Sequence, residues 1–350
     1  MRLRRNVPEM SMDSPLSERT NDKVSTTAPS RPPLGRRWAV TAVKLLIVLV
    51  VLAAVRHTLL SGLAQLDNYP WHFQPGWLIA AGALYLLGLL PAGLFWCHVV
   101  RTLGQPAGIG ETLRAYFIGH LGKYVPGKAM VVVLRAGLIR SHRVNTAVAA
   151  ASVFFETLTM MSVGALLSAA VLAVWFREQR TLFAVAVGLM VMAGLPTLPP
   201  VFKRLARIAR VGKSDPATAA NLQRLGYGTL LLGYVAMTIG WVLLGLSLWA
   251  VLKSMGMTPP SLVAELPRYT ASVALAMVAG FLSLIPGGAV VREAILAQLM
   301  VPHFHDISPQ ISAPTAALVS ALVLRLVWLV AELGISGILY VGGVRGRVES

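Results

Sequence analysis

The chain has 350 residues, of which 56% are hydrophobic and only 13% charged. A water-soluble domain carries about 25% charged residues, so a conventional soluble enzyme is excluded. The net charge of +17, from 31 Lys and Arg against 14 Asp and Glu, fits loops facing anionic lipid headgroups and leaves nucleic acid as the weaker partner.

Residues 1–37 are polar, basic and without apolar periodicity, which predicts a disordered cytoplasmic tail. The first predicted span is Trp38 to Leu60, with Lys44 near enough to the tail to snorkel. The second is Trp77 to Val100, with a kink expected at Pro91. Thr102 to Arg143 is too charged and too rich in glycine for an ordinary span. Further spans are expected at Thr146–Phe176, Leu182–Val201, Tyr227–Leu252 and Pro314–Val341. A basic linker, Lys203 to Arg224, follows the fourth of these six, and its first part reads as a surface helix on anionic lipid. A second broken segment covers Arg268 to Met300, and residues 343–350 form a short tail.

With the N-terminus inside, segments 1–37, 101–144, 202–225 and 342–350 hold 8, 7, 6 and 2 Lys/Arg, which is 23 of 31, against five on the other side. The bias predicts both termini in the cytoplasm, in a multi-pass protein of the plasma membrane.

The two broken segments carry the most information. In each, a short apolar stretch runs into Pro-Gly and a second short stretch with one or two charges follows. Pro126-Gly127 aligns with Pro286-Gly287, Ala129 with Ala289 and Val131 with Val291, all 160 residues apart. Neither arm looks long enough to be a span, and proline disfavours helix at the residue before it. The expectation is a pair of re-entrant helical hairpins. Non-helical backbone at membrane depth is tolerated where it lines an interior cavity. Paired interruptions of this kind point to a transporter site between inverted repeats. The predicted fold is therefore all-α and polytopic: six full spans plus two hairpins, with a transmembrane domain over 38–342 and halves at about 38–176 and 182–342.

Glu156 lies inside the third span, and Arg325 and Glu332 lie inside the last. Charges at such depth face a cavity or a partner. Aligning Ser152 with Ser320 brings Glu156 within about a residue of Arg325, which predicts a pseudo-symmetric pair. Two roles fit it: contact with a zwitterionic or anionic headgroup, or an ion pair that fixes packing. Lys123 and Lys128 flank the Pro126-Gly127 turn and, with Arg135, suit a phosphate or plain interfacial anchoring. Arg292 and Glu293 follow Pro286-Gly287; being adjacent they point apart, and one should face the cavity.

His303-Phe304-His305-Asp306 contains metal-ligand types without a further ligand pattern and reads as an interfacial loop. Trp71, Trp77, Trp175, Trp241 and Trp249 read as interfacial belts. The single cysteine, Cys97, excludes an intramolecular disulfide and a cysteine metal cluster. Nucleotide-binding, hydrolase and zinc-protease motifs are not found in the sequence, so no cofactor, metal or catalytic residue is assigned.

Gly119-His120-Leu121-Gly122-Lys123-Tyr124-Val125-Pro126-Gly127-Lys128, Phe155-Glu156, Ile285-Pro286-Gly287-Gly288 and Arg292-Glu293 together resemble the transmembrane region of lysylphosphatidylglycerol synthases, over about residues 40–342. That region also exists as a stand-alone membrane-protein family. In the full synthases it is associated with flipping the aminoacylated lipid, which a separate soluble domain makes. Only nine residues follow the last span here, so the resemblance implies translocation of a phospholipid or lipid-linked headgroup, with a possible partner enzyme supplying it. The alternative is a membrane transferase or accessory subunit acting on a lipid-linked glycosyl or aminoacyl substrate.

Overall fold

A chain this apolar must satisfy its backbone hydrogen bonds internally, which inside lipid leaves helices or closed barrels. The computed structural model is helical wherever the chain is regular. It describes residues 73–125, 129–139, 145–175, 180–209, 211, 216–257, 261–283, 288–307 and 311–348. The tail 1–37, the expected span Trp38–Leu60 and the two Pro-Gly turns lie outside these residues.

In chain order the helices are α1 (Pro75–Thr102), α2 (Ile109–His120), α3 (Ala129–Ile139), α4 (Thr146–Trp175), α5 (Arg180–Gly194), α6 (Pro199–Ile208) and α7 (Pro216–Leu222). They continue with α8 (Tyr227–Ser254), α9 (Leu262–Leu282), α10 (Val291–Ile307) and α11 (Ala313–Val348). A 3-10 turn, Leu121–Tyr124, extends α2. Among the described residues, five helices are long and apolar enough to cross a membrane: α1, α4, α8, α9 and α11. A 28-residue helix is about 42 Å long, against a hydrocarbon core of about 30 Å. Pro91 sits within α1, which continues through it as one helix.

Two expectations are corrected. The span predicted over Leu182–Val201 is broken: α5 ends at Gly194, and the chain bends by 67° into α6. Prolines 196, 199 and 200 cause the break, because each removes a donor and Pro199 suits only the first turn of a new helix. The bent pair counts as a sixth candidate span. The second broken segment was expected to hold no span-length arm, yet α9 has 21 residues and is one of the five. The arms of the first segment, with 12 and 11 residues, are short as expected.

α1 and α8 match position by position. Both have 28 residues and they start 152 positions apart, at Pro75 and Tyr227. Gly76, Gly88, Gly93, Arg101 and Gly104 recur at the same spacing as Gly228, Gly240, Gly245, Lys253 and Gly256. Both helices close with the same cap. Gly104 (φ +77°) and Gly256 (φ +72°) take the left-handed conformation that L side chains disfavour. Their amides donate to Arg101 O and Lys253 O, and the next amides, of Gln105 and Met257, donate to Val100 O and Leu252 O. This is a Schellman cap at each end.

The two helices run antiparallel. Gln74 N donates to Ser254 O at 2.9 Å, and Trp77 packs on Trp249 with centroids 5.3 Å apart. They cross at Gly88 and Gly240, where a Cβ on Gly240 would lie 2.7 Å from the carbonyl oxygen of Gly88. Gly93 then lets α2 approach through Leu113 and Tyr116, and Gly245 lets α9 approach through Thr270.

Each broken segment folds back on itself. A Cβ on Gly122 would lie 2.8 Å from Val131 N, so the 3-10 turn lies directly on the start of α3. In the other, Gly280 faces Gly288, where a Cβ would lie 3.3 Å from the Gly288 Cα. Val290 has φ +69°, an unusual conformation for a β-branched residue, at the start of α10.

Candidate functional site

Among the described residues, three ion pairs, one fully buried and two partly buried, tie the hairpin segments to the long helices. Arg135 on α3 donates from Nη1 to Glu156 Oε2 on α4 at 2.7 Å, and both side chains are at most 3% exposed. The guanidinium lies 3.9 Å over the Tyr116 ring, whose hydroxyl donates to Glu156 Oε1 at 3.4 Å. Arg325 on α11 donates from Nη1 to Glu293 Oε1 on α10 at 2.5 Å. In each case the return arm of a hairpin is bound to the helix that follows it, with the polarity of the pair reversed.

The third pair joins the tip of the first hairpin to α11. Lys123 Nζ donates to Glu332 Oε1 at 2.5 Å and to Tyr85 Oη at 3.2 Å. The Tyr85 hydroxyl donates to the same Glu332 oxygen. His120 links this group to the Arg135 pair: its Nε2 is 3.4 Å from Tyr85 Oη and its Nδ1 is 3.2 Å from Arg135 Nη2.

The second hairpin reaches the same place through Arg292. Its guanidinium carbon lies 4.8 Å over the Trp328 ring, and Trp328 stacks on Tyr85 with centroids 4.3 Å apart. Trp328 is itself fixed, because Nε1 donates to Ser247 Oγ at 2.9 Å and Ser247 Oγ donates to Ala81 O at 2.8 Å. Arg292 is 7% exposed, and among the described residues no carboxylate lies within ion-pair distance of it. Its Nη2 is buried without a hydrogen-bond partner. The second oxygens of Glu293 and Glu332 are likewise buried and unpartnered among the described residues. Arg292 and Arg325 both act on Lys123 as like charges. The group Lys123, Arg292, Arg325, Glu293 and Glu332 therefore holds three cations and two carboxylates, one positive charge in excess.

Most of the residues singled out in the sequence come together here. Lys123 lies by the Tyr85 ring and Arg292 over the Trp328 ring of one stack, and Arg135, Glu156, Glu293 and Arg325 form two further pairs. Pro126, Gly127, Lys128, Pro286 and Gly287 lie outside the described residues. The expected Glu156–Arg325 pair is not the one formed: Glu156 binds Arg135 on α3, and Arg325 binds Glu293 on α10. Lys123 is not a free cation but is held by Glu332. Tyr85, His120, Trp328 and Glu332 were not assigned to the site from sequence. A signal for two of them was present, since Arg325, Trp328 and Glu332 have i, i+3, i+7 spacing and share one stripe of a helix.

Two smaller expectations also change. His303–Asp306 belongs to α10 and is no loop; His303 and Phe304 are buried against Tyr269 and its surroundings. Trp241 is a core residue, fully buried and donating to Met160 O at 3.0 Å. Trp77 and Trp249 instead fit the belt reading, with Lys253 Nζ 5.7 and 6.0 Å from their rings.

The model of the family described as the lysylphosphatidylglycerol synthase TM region matches residues 41–331. No curated protein and no solved structure matches the chain.

Proposed function

This chain belongs to the lysylphosphatidylglycerol synthase TM-region family, and we propose that it translocates a phosphate-bearing lipid headgroup across the membrane. It is a multi-pass integral membrane protein of a lipid-associated family. The observation that carries the finer reading is Arg292, a buried arginine without a carboxylate partner among the described residues, near an already neutralised Lys123–Glu332 pair. An unpaired charge at membrane depth is costly, and an anionic ligand offsets that cost.

In this reading the headgroup phosphate docks on Arg292, with Lys123 as its second donor. Guanidinium suits bidentate contact with phosphate oxygens, and the ammonium adds a point charge. The acyl chains stay in the bilayer while the headgroup passes between the hairpins. The 152-residue correspondence of α1 with α8 and their antiparallel course support two inverted halves, over about 38–176 and 182–342. Rocking one half against the other at the Gly88–Gly240 crossing would expose the site to each leaflet in turn. The distribution of Lys and Arg supports a cytoplasmic location for both termini, including the tail 1–37, in the plasma membrane.

Short-chain phosphatidylglycerol tests the site in detergent. At about 100 times its dissociation constant it should stabilise the protein by about 2.7 kcal/mol, read as a shift in Tm. Arg292→Gln should reduce the shift sharply, and Arg292→Lys should keep more of it. Equal shifts in wild type and Arg292→Gln would remove Arg292 from the site.

A further inference from the structure

α6 divides into three strips. At about 100° per residue, Lys203, Arg204 and Arg207 form one strip, and Val201, Leu205 and Ile208 form a second, about 120° round the helix from it. Between them Phe202 and Ala206 are buried against the protein. Arg204 and Arg207 are exposed, as are Leu205 at 46% and Ile208 at 71%. No acidic residue occurs from Pro199 to Val211. The 67° bend turns this helix away from the axis of α5, the apolar helix before it. Cations along one flank and aliphatic side chains along the other suit a helix lying in the membrane surface: the cations reach headgroups and the aliphatic side chains enter the acyl layer.

We infer that α6 is a binding site for anionic phospholipid, separate from the headgroup site at Arg292, with Arg204 and Arg207 as its free donors. Lys203 is already engaged, donating from Nζ to Gln223 O at 2.9 Å, so it steadies the helix against the segment after α7. The occupant is a lipid of the surrounding leaflet, because a soluble anion would leave Leu205 and Ile208 in water. The site is also mechanically connected. The Phe202 ring packs edge-on against Phe155 at 4.7 Å, and Phe155 immediately precedes Glu156 of the Arg135 pair. Lipid held on α6 thus braces α4 beside that pair.

The test uses the full chain carrying Arg292→Gln, so that the proposed transport site contributes little anion binding and the two claims fail separately. Protein from micelles with equal amounts of phosphatidylglycerol and phosphatidylcholine is analysed by native mass spectrometry for retained lipid. The anionic lipid should be enriched. Arg204→Gln and Arg207→Gln should each reduce that enrichment about five-fold, and inorganic phosphate should not displace the lipid. A fluorophore at Ile208→Cys, with Cys97→Ala, should be quenched by lipids brominated on the acyl chain. No enrichment, enrichment unchanged by both substitutions, displacement by inorganic phosphate, or an unquenched fluorophore would each overturn the assignment.

Discussion

Glu156→Gln should cost about 3–5 kcal/mol of stability, because it leaves the Arg135 guanidinium buried without its counter-charge. Arg135→Gln should cost a similar amount. The double variant should lose much less than the sum, since it buries no uncompensated charge. Combining Glu156→Gln with Arg325→Gln should be close to additive, because Arg325 binds Glu293. Thermal or denaturant unfolding of the three single and two double variants in detergent reads both cycles. Strong coupling of Glu156 to Arg325, with none to Arg135, would contradict the pairing seen in the structure.

Substitutions at Lys123 and Glu332 should change ligand binding in opposite directions. Glu332→Gln removes one of the two carboxylates around the proposed site and raises the excess charge there from one to two. Anionic lipid should then bind about tenfold tighter or more, while the protein itself becomes less stable. Lys123→Met leaves Glu332 free to neutralise Arg292, so the thermal shift with short-chain phosphatidylglycerol should fall to that of Arg292→Gln. A purely structural pair would show loss of stability in both variants and unchanged ligand shifts.

The helical class, most of the long helices and the folded-back character of both broken segments were legible in the sequence. Apolar length and Pro-Gly interruption act locally, and local rules read them. The sequence correspondence between α1 and α8 extends beyond the Pro-Gly pairs. The glycines at Gly88/Gly240, Gly93/Gly245 and Gly104/Gly256 keep one spacing of 152, whereas the hairpin motifs are 160 apart and Ser152 and Ser320 are 168 apart. The spacing grows because the second hairpin has longer arms. A search at a single spacing finds only one piece of the match.

The Ser152–Ser320 alignment has a structural counterpart: both hydroxyls donate to the carbonyl three residues back, at 2.7 and 2.8 Å. The inference from it to a Glu156–Arg325 contact nevertheless failed. A match in sequence does not by itself bring two residues into contact: Glu156 binds Arg135 and Arg325 binds Glu293. Arg292 could be named as a candidate from the sequence, but its lack of a carboxylate partner could not, since that depends on which helices surround it. The proline-rich run Leu195–Pro200 marks the end of the span in the sequence, but the 67° turn into α6 that it produces is not read from apolar composition.

The central claim is movement of a lipid headgroup by this chain alone, through a site that depends on Arg292. Purified protein in liposomes with a headgroup-labelled anionic phospholipid, probed by a membrane-impermeant quencher, measures it directly. Wild-type protein should expose label from the inner leaflet to the quencher, well beyond protein-free liposomes. Arg292→Gln should return the signal to the protein-free level while its Tm without lipid stays at or above that of wild type. Wild-type protein that moves no more label than empty liposomes, or an Arg292→Gln variant that moves as much as wild type, would contradict the account.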